Sequence, residues 1–382
     1  MNTNNSHVPV GAPPSSSITV PVPLGDRSYA VHIGAPSPDE AAAILARAIG
    51  KTTGVAVLVD KKVAGISPRV APLVAALGKL VPGVAVYELA EGEGCKNLSE
   101  IERSCEWLAS KGYDRGATLV AIGGGATSDH VGFVAAIYLR GISFVSCSTT
   151  VLGMVDASVG GKTGVDLGAG KNLVGAFHQP RAVIADLGFL ATLPRREQAA
   201  GFAEIVKAGL IADPQILTAL EREAAAGADR LFSLDVLAPA IAAAVRVKVD
   251  VVTEDERESG RRAILNFGHT IGHALESESN YGLLHGEAIA LGMMAALAFG
   301  AARGIGEAAL LPRTETLLRQ IGLPVDVAGR VTPGVLARVE VDKKRRSDKL
   351  GFIFVPRAGE ARIVEVALGE FRQELPRALG QA

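Results

Sequence analysis

The chain predicts an α/β protein in which a parallel-sheet domain is followed by a mostly α-helical, metal-binding domain. Three observations predict it. Short β-branched runs alternate with helical segments from Ile18 to about Asp186, and strand patterning nearly vanishes after Leu193-Pro194. A late, largely apolar segment carries two histidines four residues apart, His269 and His273. At 382 residues the chain exceeds the length at which single cores usually stop growing. The expected organisation is a disordered tail over 1–17, an α/β domain over 18–192 and a helical domain over 193–382.

The first half supplies five strand signals. Gly54–Val59 ends at Asp60, Val84–Tyr87 follows a helical stretch, and Ala117–Ile122 runs into Gly123-Gly124-Gly125. Ser143–Cys147 ends in Ser148-Thr149-Thr150, and Val183–Ala185 closes the series. Near-continuous apolar strands separated by helices imply a Rossmann-like parallel sheet covered on both faces. Several strand ends suit a dinucleotide. Asp60 can accept hydrogen bonds from ribose hydroxyls. The turn from Gly123 to Asp129 lets a pyrophosphate approach backbone amides where a helix begins, and Thr149 and Thr150 add hydroxyl donors.

Two glycine-rich stretches follow, Asp156–Gly164 with Lys162 and Gly170–Phe177 with Lys171 and Asn172. They read as flexible loops whose lysines clamp an anion. Residues 195–335 are Ala/Leu-rich with helical periodicity and caps such as Asp213-Pro214. Glu204 and Lys207, three apart, share a helix face. Steps of four, three and four place Arg262, Asn266, His269 and His273 on one stripe of a single predicted helix, with Glu276 one turn on. So many polar groups on a buried line cost several kcal/mol unless something pairs with them; a metal ion and a charged ligand would. His285 opens a further helix, and with His269 and Glu204 it makes a nitrogen, nitrogen, oxygen set suited to Zn²⁺. Spacing leaves open which of His269 and His273 binds metal. The HExxH glutamate of zincin proteases is missing. A short hairpin, Phe352–Val355 with Arg362–Val366, comes near the end.

Bulk properties narrow the classes. Net charge is −1, so no whole-protein field favours nucleic acid or membrane. Apolar content of 48% with only 4% aromatics and 44 glycines fits closely packed α/β elements. Cys95, Cys105 and Cys147 match no metal or redox spacing and read as reduced cytosolic thiols. The first 18 residues lack the basic start and apolar run of a secretory signal. Ala288–Ala302, at 15 residues, reads as a buried helix too short to span a bilayer. A soluble cytoplasmic protein is expected.

Five motifs, in order, carry a resemblance: VDASVGGKTG (155–164), GKNLVGAFHQP (170–180), AGFAEIVKAG (200–209), LNFGHTIGHALE (265–276) and LHGEA (284–288). Together they resemble the 3-dehydroquinate synthases, sugar-phosphate cyclases of the shikimate pathway. The resemblance implies metal ligation, by Zn²⁺ or Co²⁺, through Glu204, His269 and His285, with His273 left as an acid/base group. It implies NAD contacts from Asp60, Glu93, Lys96, Gly124, Gly125, Ala126, Asp129, Thr149, Thr150, Lys162, Lys171, Phe189 and Thr192. Substrate groups would meet Arg140, Asp156, Lys162, Lys171, Asn172, Lys207, Lys248, Glu258, Arg262, Asn266 and one of Lys343 and Lys344. The implied reaction converts 3-deoxy-D-arabino-heptulosonate 7-phosphate to 3-dehydroquinate and phosphate. It proceeds through transient oxidation, phosphate elimination, re-reduction and intramolecular aldol closure. A homodimer is implied too. Three positions depart from the family pattern: Ser128 for glycine, Ser148 for proline and Lys62 for asparagine. The alternatives are an NAD- and metal-dependent polyol dehydrogenase and a related cyclase making inosose- or valiolone-type rings. The latter usually depart from the GGKTG and GKN patterns that this chain keeps.

Overall fold

A computed structural model describes residues 17–168, 170–258, 260–279, 282–343 and 348–381. The expected tail therefore lies almost entirely outside the described residues, as does Lys344.

The chain opens with strands β1 (Ile18–Val22) and β2 (Tyr29–Gly34), then alternates helices and strands. These are α1 (Pro38–Ile49), β3 (Val55–Asp60), α2 (Lys61–Ile66), α3 (Val70–Gly78), β4 (Val84–Leu89), α4 (Leu98–Ser110), β5 (Thr118–Gly123), α5 (Gly125–Ile137), β6 (Ser143–Ser148) and α6 (Val151–Val155). A hairpin, β7 (Lys162–Leu167) and β8 (Gly170–Phe177), precedes β9 (Val183–Asp186). The main sheet has the order β1-β2-β9-β6-β5-β3-β4, parallel except for the antiparallel β1–β2 edge. All six residues of β3 and of β5 are buried, as expected for strands covered on both faces.

The remainder is helical: α7 (Arg195–Ile211), α8 (Pro214–Ala225), α9 (Leu234–Glu254), α10 (His269–Glu278), α11 (His285–Ala302), α12 (Leu310–Ile321) and α13 (Pro333–Lys343). The hairpin β10 (Lys349–Arg357) and β11 (Glu360–Ala367) and helix α14 (Leu368–Ala378) complete it. Asp213 caps α8 through its carboxylate, as expected. The largest core does not respect the change in composition: Val20, Val22 and Val31 of the sheet edge pack in one cluster with Phe202, Val245 and Ile289 of the helices.

Three expectations are corrected. The glycine-rich stretch around Lys162 and Lys171 is the antiparallel β7–β8 hairpin, not flexible loop. Its glycines permit close strand approach: a Cβ on Gly175 would sit 2.1 Å from the Thr163 carbonyl oxygen. The stripe from Arg262 to Glu276 is not one helix. A 3-10 turn over Arg261–Asn266 ends at Phe267, and Gly268, at φ 79°, restarts the chain as α10. That left-handed conformation suits glycine alone here, since a Cβ would also meet Met293 at 2.8 Å. Finally, the apolar helix begins at His285 and reaches 18 residues, so it is long and apolar enough to cross a membrane; 72% of it is buried inside the fold.

Candidate active site

The carboxyl ends of β3, β5 and β6 open on a cleft of about 730 Å³. Asp60, Glu93, Gly124, Gly125, Ala126, Thr149, Thr150, Lys171, Phe189 and Thr192 line it, together with Glu276 and His285. The glycine-rich turn after β5 and the histidine-bearing elements thus share one space. Asp60 caps α2, accepting the Lys62 and Val63 amides at 2.8 and 3.1 Å on one oxygen and the Gly92 amide at 2.8 Å on the other. Gly124 caps α5. The buried hydroxyls of Thr127, Ser148 and Thr149 have no hydrogen-bond partner among the described residues. Each such orphan costs about 1–3 kcal/mol. Two of them, Thr127 and Thr149, line the cleft beside the positive end of α5, a setting that fits an anionic dinucleotide.

Lys96 is buried and donates to Asp129 at 2.8 Å and to Asn172 at 2.6 Å. Burial alone would lower its ammonium, but Asp129 and Glu93 outweigh that and hold it above the ordinary range. The structure therefore groups Asn172 with the nucleotide-side pair. Of the three family departures, Ser128 hydrogen-bonds Ser146 at 3.3 Å, Ser148 is one of the orphaned hydroxyls, and Lys62 pairs with Glu91 at 3.0 Å.

The metal-type donors come from three helices. Glu204 and Lys207 lie on α7, His269, His273 and Glu276 on α10, and His285 opens α11. Glu204 Oε1 is buried without a hydrogen-bond partner among the described residues, 3.6 Å from His269 Nε2 and 3.7 Å from His285 Nε2. Its other oxygen is held by the Lys207 ammonium. Bonds of ~2.1 Å to a tetrahedral zinc put donors about 3.4 Å apart, so both separations from Glu204 match such an ion within a few tenths of an ångström. Backing groups orient both rings. His269 Nδ1 lies 3.2 Å from the Phe267 carbonyl, which can only accept, so the proton sits on Nδ1 and Nε2 faces Glu204. His285 Nδ1 lies 3.4 Å from Glu276.

His273 adds a third imidazole, its ring 5.0 Å from that of His269 and 5.8 Å from that of His285. The ligand atoms of all three histidines lie within 4.8 Å of one another, so two overlapping donor sets share His269 and His285. The set containing Glu204 is the better fit, because a buried, orphaned carboxylate oxygen needs a cation. Burial would raise the Glu204 carboxyl, but Lys207 and His285 hold it down at about 2. Burial, with Lys207, pushes His269 well below the usual imidazole range, so it presents a neutral ring.

Cations surround this centre, each with a partner. Lys248 donates to the Asp156 carboxylate, and Lys171 pairs with Glu276 at 2.6 Å. Lys162 pairs with Glu258, which also accepts from Asn266 at 2.9 Å. Glu258 sits at φ 58°, an uncommon conformation for a non-glycine residue. The Arg262 guanidinium is buried and donates to the carbonyls of Gly160 and Glu256. Gly160, at φ 98°, leaves room for it: a Cβ there would lie 2.7 Å from Arg262 Nη2. Arg140 is not brought to this ensemble. It is exposed at the end of the turn after α5, at φ 70°, and is absent from the cleft lining. Lys343 ends α13, and nothing is described of its side chain.

A model for the N-terminal part of 3-dehydroquinate synthase matches residues 86–200, and one for its C-terminal part matches 201–345. The chain belongs to the 3-dehydroquinate synthase family. A relative named 3-dehydroquinate synthase, from Caulobacter vibrioides (strain NA1000 / CB15N), is 43% identical over 90% of this chain and 94% of its own. Among solved structures, 2-deoxy-scyllo-inosose synthase complexed with carbaglucose-6-phosphate, NAD+ and Co2+ matches with TM-score 0.80 at 25% identity. It covers 94% of this chain and 99% of that one. A 2-epi-5-epi-valiolone synthase from Streptomyces hygroscopicus subsp. jinggangensis 5008, with NAD+ and Zn2+ bound, matches at TM-score 0.77 and 27% identity, covering 87% and 92%.

Sequence reasoning placed Glu276 on the polar stripe but gave it no role in the site. Glu276 backs His285 and pairs with Lys171; its place one turn beyond His273 on the same stripe was the available signal.

Proposed function

We propose that this chain converts 3-deoxy-D-arabino-heptulosonate 7-phosphate to 3-dehydroquinate and inorganic phosphate. The cofactor would be held chiefly by residues 18–192, and a zinc or cobalt ion by residues 193–382. The observation that carries the reading is the orphaned Glu204 oxygen facing two imidazoles. One of those imidazoles, His285, lines the same cleft as the Gly124–Gly125 turn. When bound, the ion supplies Lewis-acid polarisation of a substrate hydroxyl and the dinucleotide a reversible hydride acceptor.

The chain's own residues do the rest. Lys162, Lys207, Lys248 and Arg262 would supply the cations that a substrate bearing both a carboxylate and a phosphate requires. Arg262 is suited to a planar carboxylate because its fork is already fixed by two backbone carbonyls. Lys162 and Asn266 share Glu258 and are aligned to exchange it for a ligand anion. His273, adjacent to the donor set and less buried than His269, is placed to hold and return a proton at a substrate hydroxyl. Phe189 and Leu152 give the cleft apolar wall that limits water.

The 43% identity to a named 3-dehydroquinate synthase favours this substrate over the inosose- and valiolone-type cyclisations of the more distant structures. The reading includes a homodimeric, cytoplasmic enzyme with no nucleic-acid or membrane partner, and sedimentation of the purified protein tests the dimer. The deciding experiment is incubation with the heptulosonate phosphate, NAD⁺ and Zn²⁺. Release of inorganic phosphate with a carbocyclic product, without sustained NADH absorbance, is expected. Steady NADH growth with a simple polyol would instead establish a dehydrogenase.

A further inference from the structure

The β1–β2 edge lies outside every motif that marks the family site, yet two of its residues grip the segments that hold Arg262. Arg262 is fixed by two carbonyl acceptors, that of Glu256 and that of Gly160, the latter at 3.1 Å. Each acceptor is tied to the same short stretch of chain. The Glu256 carboxylate receives both Arg27 nitrogens, at 2.5 and 2.8 Å, and the Gln179 amide at 2.9 Å. The Gly160 amide donates to the Tyr29 hydroxyl at 3.2 Å. Arg27 and Tyr29 are two residues apart, at the turn into β2. Within the segment carrying Glu256, Glu258 and Arg262, Asp255 accepts the Gly260 and Arg262 amides at 2.7 and 3.0 Å, and Glu258 pairs with Lys162 outside it.

We propose that Arg27 and Tyr29 are positioning residues that set the Arg262 guanidinium for the substrate, Arg27 through Glu256 and Tyr29 through Gly160. The inference rests on the reading of Arg262 as a substrate-binding group. The Arg27 side chain is 58% exposed, so its ion pair contributes little to global stability. Its consequence is geometric: a small misplacement of a binding fork weakens substrate capture.

The test is steady-state kinetics of the metal- and NAD-loaded enzyme carrying Arg27→Ala, Arg27→Lys, Arg262→Ala, and Arg27→Ala with Arg262→Ala. Arg27→Ala should raise KM for the heptulosonate phosphate roughly three- to tenfold with kcat within about twofold, the pattern of lost uniform binding. The thermal midpoint should be unchanged. Arg27→Lys, which keeps the charge but not the fork, should recover part of the loss. Hydrogen exchange should accelerate in the peptide spanning residues 255 to 262 of Arg27→Ala. In the Arg262→Ala background, Arg27→Ala should add nothing, since its effect is routed through the absent guanidinium. An unchanged KM in Arg27→Ala, or effects that multiply in the double variant, would overturn the positioning role while leaving Arg262 in place. An unchanged KM in Arg262→Ala would overturn the substrate reading itself, and the positioning role with it.

Discussion

Gly286→Ala is expected to disable the metal centre without touching a ligand. Gly286 follows His285 on α11, and its backbone lies against that of α7. A Cβ there would stand 1.8 Å from the Ala200 carbonyl oxygen and 2.5 Å from its carbonyl carbon, whereas real Cβ contacts essentially never fall below 3.0 Å. Both partners are helix backbone, so no side chain can swing aside. The helices must part by about 1.2 Å. Ala200 is one turn before Glu204, so the displacement falls on the Glu204–His285 pair. Their present separation of 3.7 Å already slightly exceeds the ~3.4 Å spacing of a tetrahedral zinc. A further ångström or so puts one of three protein donors out of reach.

Loss of outer-shell support alone costs 10- to 100-fold in metal affinity, so a displaced ligand should weaken zinc by roughly 100-fold or more. Overpacking should cost about 1–3 kcal/mol of stability. The assay is zinc competition against a chromophoric chelator on the folded protein, with urea unfolding alongside. Gly78→Ala is the control. It ends α3 with nothing within 4 Å of a new Cβ, so zinc affinity and stability should hold or improve slightly. A folded Gly286→Ala protein that binds zinc as tightly as wild type would refute the reasoning.

Further outcomes are expected. His269→Ala or Glu204→Ala should lose metal on dialysis against a chelator while circular dichroism stays native; metal retained at stoichiometry would remove that residue from the donor set. Lys162→Ala should lose far more turnover than the exposed Lys61→Ala, and equal effects would count against Lys162 as a substrate contact. His130 is buried against Ser104 and the Cys95 carbonyl, and burial lowers it to about 4 although Cys95 opposes this. A folded pKa below the unfolded value leaves stability intact above about 6.5 and removes it as pH falls toward 4, amounting to about 2 kcal/mol between pH 7.5 and 5. Urea titrations of wild type and His130→Gln should differ in pH slope by that amount; parallel slopes would show that His130 is not buried neutral.

Much of the fold was legible because burial on both faces leaves a plain mark. Strands such as β3 and β5 have nowhere to put polar residues, so their β-branched runs stand out. Edge strand β1, whose exposed positions interrupt its apolar ones, gave a weaker signal. The β7–β8 hairpin read as loop because its ladder depends on glycines at close approaches, such as Gly164, where a Cβ would stand 2.5 Å from the Val174 carbonyl oxygen, and glycine-rich composition imitates disorder. The stripe from Arg262 to Glu276 failed as one helix for a local reason, the positive φ of Gly268, yet its His269–His273 step survived because both lie beyond the break. Glu204 was harder: it reaches the histidines only through tertiary packing, so spacing alone could never have paired them. Arg140, which only the resemblance singled out, is exposed and lies outside the cleft lining among the described residues.

The lysines around the centre also change how anion recognition must work. Lys162, Lys171 and Lys248 each meet a carboxylate of the protein, Glu258, Glu276 and Asp156 in turn. Of the three, Lys248 is the most buried, and left alone it would cost several kcal/mol, so its pair with Asp156 keeps that cation compatible with folding. Binding an anionic ligand is then an exchange of partners, and its affinity is the difference between two paired states rather than the sum of new contacts. Lys207 works differently. By holding one Glu204 oxygen, it leaves a single oxygen facing the imidazoles, so Glu204 can act only as a one-atom ligand. Two nitrogens and one oxygen leave a tetrahedral ion an open position, and an open position is what a substrate hydroxyl needs. Lys207→Met should therefore free the second oxygen and raise the Glu204 carboxyl, because burial would no longer be opposed by the ammonium. Zinc should bind more weakly to this variant at pH 5 than at pH 7, with a steeper pH dependence than wild type. Identical dependences would mean that Lys207 does not govern this carboxylate.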